Sequence, residues 1–84
     1  MPSAPEALRK IRDKLDAGTL PTERPVAMYA GHGSSDSCAG CDETIQAAQI
    51  EYERHHSGGR IFRLHIECAL LLEAECLARG HREP

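Results

Sequence analysis

The first pattern of apolar positions predicts an amphipathic helix over residues 3–17. Its narrow apolar stripe recurs every three or four residues and consists of Leu8, Ile11 and Leu15. Ser3 and Glu6 form a capping-box pattern, in which a hydroxyl and a carboxylate bind free N–H groups at a helix start. Gly18 suits the position just after the helix end, because glycine tolerates a left-handed backbone.

Residues 19–37 have no helical pattern and are predicted to form a connection. Pro21 and Pro25 exclude a helix, because proline lacks a donor N–H and its ring clashes with the preceding turn. Residues 26–29 suit a short extended piece, and the glycines and serines of residues 31–35 predict a flexible loop. We therefore expect this segment to link the helix to the rest of the chain.

After the connection, the pattern changes to the period of two that is typical of a half-buried strand. Apolar positions alternate with polar ones, in the order Ala48, Gln49, Ile50, Glu51, Tyr52 and Glu53. Residues 57–59 carry a turn signal, and Phe62 and Leu64 then flank Arg63 on a second strand. The two strands form a predicted hairpin, and a helix over residues 65–79 follows it.

The predicted last helix carries two small apolar faces. One face consists of Ile66, Leu70, Ala74 and Leu77. The other face consists of Cys68, Ala69, Leu72 and Cys76, and Leu71 lies outside both. The hairpin can cover one face, and the N-terminal helix or a second copy of the chain can cover the other. An apolar face left exposed would mark a binding site for a partner.

The composition implies that this fold needs a stabilising cross-link, either a disulfide bond or a bound metal ion. The chain has 84 residues with no Trp, one Phe and two Tyr, and a domain with so small a core often depends on a disulfide, a metal or a partner. No apolar run approaches the roughly 20 residues of a membrane span, and no secretory signal pattern begins the chain. We therefore expect a cytoplasmic protein with reduced thiols, which favours a metal site over disulfides.

Two paired motifs predict one metal site. Cys38 and Cys41 form a C-x2-C turn that Gly40 relaxes, and His65 and Cys68 form an H-x2-C pair at the predicted helix start. The 23 residues between the two motifs fit a hairpin that returns the chain beside the turn. Thiolates with one imidazole favour zinc, with iron as the alternative. Four protein ligands fill a tetrahedral ion, so the predicted site is structural.

Cys76 is predicted to lie outside this site. It follows Cys68 by eight residues, which is about 12 Å along a helix, so the two thiols are too far apart to bind one ion. A small buried apolar side chain is the first interpretation of Cys76. The alternative is a reactive or dimer-bridging thiol, which would suit a sensor whose zinc thiolates oxidise reversibly.

The other histidines offer one alternative ligand and no catalytic group. His32, in the predicted loop, is the alternative to His65 as a ligand. His55 and His56 are expected to be solvated near the hairpin tip, and His81 belongs to a frayed tail. Three serines lie near His32 in the sequence, but no pattern places them in a catalytic triad. They are Ser34, Ser35 and Ser37. We therefore expect that the protein is not an enzyme.

With these motifs in place, the chain resembles treble-clef zinc fingers. The order of knuckle, hairpin and Leu64-His65-x2-Cys68 is similar to the first half of a LIM domain and to the nick-sensing fingers of poly(ADP-ribose) polymerases. A longer series of motifs is similar to that of small bacterial proteins of unassigned function. These motifs are Leu20-Pro21, Gly31-x-Gly33, Cys38-x2-Cys41 and His65-x2-Cys68. The resemblance spans about residues 19–79 and implies an α+β fold with these four zinc ligands.

The predicted organisation is a single domain in three parts. Residues 1–18 form the N-terminal helix, residues 19–37 the connecting loop, and residues 38–84 the treble-clef unit. The net charge is −3, and three thiolates with one Zn²⁺ bring it to −4. A negative surface does not attract nucleic acid as a whole.

These patterns predict a zinc-stabilised, non-enzymatic module that binds an unidentified protein or a second copy of the chain. Two alternatives stay open. The first is a nucleic-acid-associated regulator that uses the basic residues of the first helix, which are Arg9, Lys10, Arg12 and Lys14. The second is the thiol or metal sensor described above.

Overall fold

The computed structural model describes residues 3–80, which form two helices and a three-stranded antiparallel sheet. The elements in chain order are α1 (Ala4–Asp16), β1 (Ala27–His32), β2 (Ile50–His56), β3 (Arg60–His65) and α2 (Ile66–Ala78). The predicted α+β class is therefore confirmed. Within residues 3–80, neither helix has the length and apolar character needed to cross a membrane.

Helix α1 begins at the predicted N-cap, and Ile11 and Leu15 of its predicted apolar stripe are buried, whereas Leu8 is only partly buried. The Ser3 hydroxyl accepts a hydrogen bond from the Glu6 backbone N–H at 3.4 Å, which starts the helix. Gly18, with a φ of +77°, follows the last turn in the left-handed region that favours glycine. The buried side chains of α1 are those of Ala7, Ile11 and Leu15.

The sheet has the strand order β1-β2-β3, and its second half is the predicted hairpin. Residue Tyr52 of β2 lies opposite Leu64 of β3, and the strands are joined by a short turn over Ser57–Gly59. Gly58 and Gly59 both have positive φ, which a tight connection requires and glycine permits. Leu64 is fully buried and Phe62 is packed against the core, as their alternation predicted.

Strand β1 was not predicted as a member of the sheet. The predicted connection, residues 19–37, contains this strand, and Gly31 and His32 of the expected loop form its last two residues. The expected extended piece, residues 26–29, covers only the first part of β1, because small residues such as Ala30 and Gly31 have weak strand propensity. Its antiparallel pairing with β2, in which Ala30 lies opposite Tyr52, determines the conformation instead.

The predicted faces of β2 are partly wrong. Ala48 precedes the strand, and Ile50 is 41% exposed although it was predicted to be inward. Glu51, predicted to be outward, is only 4% exposed. Its carboxylate accepts hydrogen bonds from the Ser34 backbone N–H at 3.1 Å and the Ser34 hydroxyl at 2.6 Å, and Arg63 lies 3.5 Å away. These partners replace water around the buried carboxylate.

The expectation that His56 is solvated is also wrong. His56 and Arg54 are both buried on the face of β2 that α2 covers. Arg54 Nη1 donates to a carboxylate oxygen of Glu73 on α2 at 3.2 Å. The His56 ring packs edge-on against Phe62 with 5.5 Å between ring centroids. Burial, followed by the nearby charge of Arg54, lowers the pKa of His56 and so favours its neutral ring.

Helix α2 packs on β3, β2 and α1, and it encloses the core on one side. The buried cluster consists of Ala7, Ile11, Leu15, Leu20, Cys38, Cys41, Ile45, Leu64, Cys68, Ala69, Leu72 and Cys76. One of the two predicted α2 faces is thus covered. On the other face, Leu70 is 61% exposed and Leu77 is 59% exposed.

Candidate metal centre

The C-x2-C turn sits at the end of a short antiparallel ribbon. Ser37 pairs with Thr44, the Cys38 N–H donates to the Glu43 carbonyl at 2.8 Å, and the Asp42 N–H donates to the Cys38 carbonyl at 2.9 Å. Asp42 has a φ of +73°, in the left-handed region that Asp tolerates better than most residues. The ribbon fixes the backbone that carries both thiols.

Gly40 brings both helices close to this turn. A Cβ atom at Gly40 would lie 3.2 Å from Cys68 Cβ and 3.3 Å from Ile11 Cγ1. A Cβ atom there would require these neighbouring side chains to shift by a few tenths of an ångström. The glycine therefore has a packing role in addition to the turn flexibility predicted from the sequence.

The second ligand pair lies at the junction between β3 and α2. His65 is the last residue of β3, one residue before the observed helix start, and Cys68 lies in the first turn of α2. The Ala39 N–H donates to the Arg63 carbonyl at 2.8 Å, which holds the turn beside this junction. The strand end and the helix start thus bring both pairs to one point.

The four predicted ligands form one buried cluster. Their ligand atoms all lie within 4.8 Å of one another, and each of the four residues, Cys38, Cys41, His65 and Cys68, is at most 1% exposed. Cys41 Sγ lies 3.4 Å from His65 Nδ1. A tetrahedral zinc ion with ordinary bond lengths separates a sulfur and a nitrogen ligand by about 3.6 Å. The cluster can therefore hold one metal ion.

Hydrogen bonds orient two of these ligands. His65 Nε2 lies 3.2 Å from the Thr44 carbonyl oxygen. Because a carbonyl only accepts, Nε2 carries the proton and Nδ1 presents its lone pair to the cluster. The backbone N–H groups of Gly40 and His65 each donate to Cys38 Sγ at 3.4 Å, which favours a thiolate at Cys38.

The three clustered thiols do not ionise alike. A hydrogen bond from Cys68, followed by several backbone N–H groups, lowers the pKa of Cys38. The pKa of Cys68 is raised, first because it donates to Cys38 and then by burial. Burial also raises the pKa of Cys41. Holding all three thiols deprotonated in this dry site thus requires a cation, which is the charge that a divalent metal supplies.

Two lysines of α1 support the turn from outside. Lys10 Nζ donates to the Cys41 carbonyl at 3.2 Å, and Lys14 Nζ donates to the Ala39 carbonyl at 2.9 Å and pairs with Asp42. Their charges lie close to a cluster that would carry −1 with three thiolates and one divalent ion. The basic face of α1 is thus partly committed to the candidate site.

The other cysteine and histidine candidates lie elsewhere in the structure. Cys76 is buried outside the cluster, where its thiol points to the Pro21 carbonyl at 3.8 Å and burial raises its pKa. His32 is an exposed residue of β1 and is not part of the cluster. His55 lies 3.0 Å from Glu53. The prediction for His81 lies outside the described residues.

Three supporting features were not predicted from the sequence. They are the Thr44 carbonyl that orients His65, the Glu51 carboxylate that binds Ser34, and the close contact at Gly33. A Cβ atom at Gly33 would lie 2.0 Å from the Gln46 carbonyl oxygen, so no other residue fits there. The only sequence signal for the contact at Gly33 was the Gly31-x-Gly33 motif. This motif is typical of a tight backbone, but it does not identify the Gln46 carbonyl as the group in contact.

The fold and the cluster define a small α+β protein with a Cys3His group that can hold one metal ion. Comparisons of the chain with protein-family models, with curated proteins and with solved structures find no match. The functional conclusion therefore depends on the geometry of this chain.

Proposed function

We propose that this chain is a zinc-stabilised, non-enzymatic protein-interaction module. The observation that carries the proposal is the combination of a closed, buried Cys3His cluster with an exposed apolar face on α2. A site filled by four protein ligands has no open position for water or substrate, so it serves folding. Function then belongs to the surface that the folded domain displays.

Zinc is the metal that suits this donor set best. Three thiolates and one imidazole select soft or borderline ions, and the mutual distances suit tetrahedral geometry. When bound, the ion would cross-link the C-x2-C turn to the start of α2 through Cys38, Cys41, His65 and Cys68. The cytoplasm, where thiols stay reduced, is the compartment we propose.

We further propose a treble-clef arrangement for the metal unit. The ribbon carrying Cys38 and Cys41 precedes the β2–β3 hairpin, and α2 carries the last ligand in its first turn. This order matches the knuckle, hairpin and helix of that class. Strand β1 and helix α1 are additions that enlarge the sheet and the core.

The exposed face of α2 is the proposed interaction surface. Leu70 and Leu77 expose more than half of their surface, beside the partly exposed Ile66 and the exposed Ala74. Two leucines on one helix face in water cost free energy that a partner recovers by covering them, at about 25 cal/mol per Å² buried. No role inside the domain accounts for their position.

The same contacts weigh against the two alternatives. Lys10 and Lys14 bind carbonyl groups of the C-x2-C turn, and Arg12 pairs with Glu75. These contacts leave little of the positive charge of α1 for nucleic acid. For the sensor, the cluster thiols and Cys76 are buried, and oxidation requires an accessible thiolate. The interaction module therefore remains the function that the geometry favours.

Site-specific photo-crosslinking tests the proposed function. A photoreactive residue at position 70 of the full chain, expressed in the cells from which the sequence derives, is expected to cross-link one defined protein. The matched control places the same group at position 61, because Ile61 is 43% exposed on the opposite face of the sheet. Identical cross-links at both positions, or none at position 70, would contradict an interaction surface on α2.

A further inference from the structure

The β-sheet has one covered edge and one open edge. At the covered edge, the Ala39 N–H of the C-x2-C turn donates to the Arg63 carbonyl on the outer side of β3 at 2.8 Å. Strand β1 forms the other edge, and every residue of this strand after Ala27 is exposed. An exposed edge strand offers unpaired backbone N–H and C=O groups to another strand.

Hydrogen bonds elsewhere in the sheet determine which backbone groups of β1 point outward. Arg63 directs its carbonyl away from β2, so its cross-strand partner Glu53 directs its own backbone groups away from β3 and toward Tyr29 of β1. The Gly33 N–H, which donates to the Gln49 carbonyl at 2.9 Å, keeps this alternation beyond the end of β1. The residues of β1 whose backbone groups point away from β2 are therefore Met28, Ala30 and His32.

These three residues form a row of free groups that is symmetric about Ala30. Among residues 3–80, no hydrogen bond reaches their outward N–H or C=O groups. The next N–H groups in the same alternation are already used. The Val26 N–H donates to a β2 carbonyl at 2.7 Å, and the Ser34 N–H donates to a β2 carboxylate at 3.1 Å. A strand that satisfies the whole row is therefore centred on Ala30.

We propose that β1 pairs with β1 of a second copy of the chain, antiparallel about a two-fold axis at Ala30. In this register Met28 lies opposite His32 of the partner subunit, and Ala30 lies opposite Ala30 of the partner subunit. Each of these pairs exchanges two N–H···O bonds, so the dimer gains about six. The two sheets become one continuous sheet through an interface to which both copies contribute the same strand. This inference is independent of the α2 surface proposed above.

The neighbouring registers satisfy fewer of the free groups. An axis one residue earlier brings Val26 into the pairing, and an axis one residue later brings Ser34 into it. Because the N–H groups of both residues are already bonded, each shift leaves hydrogen bonds unmade. The register at Ala30 is therefore the one that suits two copies of this strand.

The side chains of β1 also suit a second copy. Tyr29 would face Gly31 of the partner subunit, because cross-strand partners share a face. Tyr29 is 60% exposed, and nothing lies within 4 Å of the position that a Cβ atom at Gly31 would take. An aromatic ring over a glycine of the adjacent strand shields its backbone and supports the pairing. A strand of unrelated sequence can match the backbone groups, whereas a second copy also brings this large side chain to an open position, once from each copy.

Neither the composition of β1 nor the position of α2 opposes this pairing. Edge strands that stay unpaired usually carry Lys, Pro or a bulge, whereas Ala27–His32 contains no Pro and no Asp, Glu, Lys or Arg. Helix α2 packs on β2 and β3. With strands about 4.8 Å apart, α2 and its copy would lie roughly 15–20 Å apart, which exceeds the helix diameter of about 10–12 Å. The two copies can therefore approach without a clash between these helices.

Sedimentation equilibrium and amide exchange test this inference on the zinc-loaded full chain. A small interface of this kind is weak, so we expect a reversible monomer–dimer equilibrium between about 10 μM and 1 mM. Amide exchange at Met28, Ala30 and His32 should slow as the concentration rises. Exchange at Tyr29 and Gly31 should be slow at every concentration, because their N–H groups already bond to β2. A chain that stays monomeric throughout this range, or protection without the alternation, would overturn the inference.

Matched charge variants locate the axis of the dimer. Ala30→Lys places two like charges opposite each other and should raise the dissociation constant by about fivefold or more. Ala48→Lys, the same change at an exposed residue outside β1, should leave it unchanged. An equimolar mixture of Ala30→Lys and Ala30→Glu should recover the dimer, because opposite charges then meet at the axis. An unaffected dimer in Ala30→Lys, or no recovery in the mixture, would place the interface elsewhere and refute the proposed pairing.

Discussion

At the scale of single residues, the cluster thiols are not equivalent. Cys38 accepts two backbone N–H groups, and its pKa is lowered, whereas Cys41 and Cys68 are shielded and keep their protons more tightly. The backbone N–H groups of Gly40 and His65 therefore favour the thiolate form at Cys38. His65, already held by Thr44 in the tautomer that exposes Nδ1, is the neutral partner.

Replacement of Cys38 by serine is expected to abolish tight metal binding and with it the folded state. The hydroxyl is a poor ligand, and the two N–H donors lose their thiolate. Metal content by mass spectrometry should fall from about one ion per chain toward zero, and cooperative unfolding should disappear.

Cys76→Ala provides the control for this prediction. It removes another buried thiol, but one that lies outside the cluster. Metal content should stay at about one ion per chain, with a loss of stability of about 1 kcal/mol. Equal metal loss in both variants would contradict the assignment of the ligands.

Gly33→Ala is expected to destabilise the metal-loaded protein by about 1 to 3 kcal/mol. Its Cβ would lie 2.0 Å from the Gln46 backbone oxygen, so the backbone must move. Gly31→Ala is the matched change, because nothing lies within 4 Å of a Cβ there. Denaturant unfolding should separate the two variants, and equal stability would argue against the close contact.

At the scale of elements, α1 supports the C-x2-C turn that carries Cys38 and Cys41. Ile11 packs on Gly40, while Lys10 and Lys14 bind the carbonyl groups of Cys41 and Ala39. Because Gly40 also lies close to Cys68 of α2, the turn is held between the two helices. The N-terminal helix thus belongs to the site as well as to the core.

Lys14→Met should therefore lower stability by about 1 to 2 kcal/mol, because a partly buried charged hydrogen bond is lost. Arg9→Met removes the same charge from an exposed pair with Asp13, and such pairs contribute about 0.5 kcal/mol or less. Thermal unfolding of the zinc-loaded variants measures the difference. An equal effect in both would show that net charge, and not contact with the turn, is responsible.

At the scale of the whole molecule, the candidate metal site joins two distant parts of the chain, the turn at Cys38 and Cys41 and the start of α2. Within residues 3–80, four of the twelve core residues are cysteines, and three of these belong to the candidate metal cluster, so the core is small without its ion. Structural zinc contributes roughly 10–16 kcal/mol of apparent binding energy. That exceeds the ~5–15 kcal/mol stability of an ordinary domain.

Removal of the metal by a chelator should accordingly unfold the protein. Because α1 packs on the turn, we expect the loss of helical circular dichroism to include α1 as well as α2. Metal analysis of the same sample and recovery of the spectrum on adding zinc are the controls. A metal-free sample with an unchanged spectrum would contradict the structural role of the site.

The sequence by itself determined the features that short-range patterns encode. Capping at Ser3, the hairpin turn at Gly58 and Gly59, and the paired ligand motifs all depend on residues close together in the chain. For that reason the helices, the hairpin and the four ligand candidates were predicted within a few residues of their observed positions. The prediction that the two ligand pairs meet required only the assumption that a hairpin returns the chain to the C-x2-C turn.

Tertiary structure alone decided which polar groups are buried and which apolar groups are not. Glu51 and His56 are buried because Ser34, Arg63 and Phe62 meet them across the fold, and no local pattern contains those contacts. Likewise β1 is a strand because β2 offers it hydrogen bonds, despite its weak propensity. The exposure of Leu70 and Leu77 follows from where α2 comes to lie, which depends on packing between distant segments.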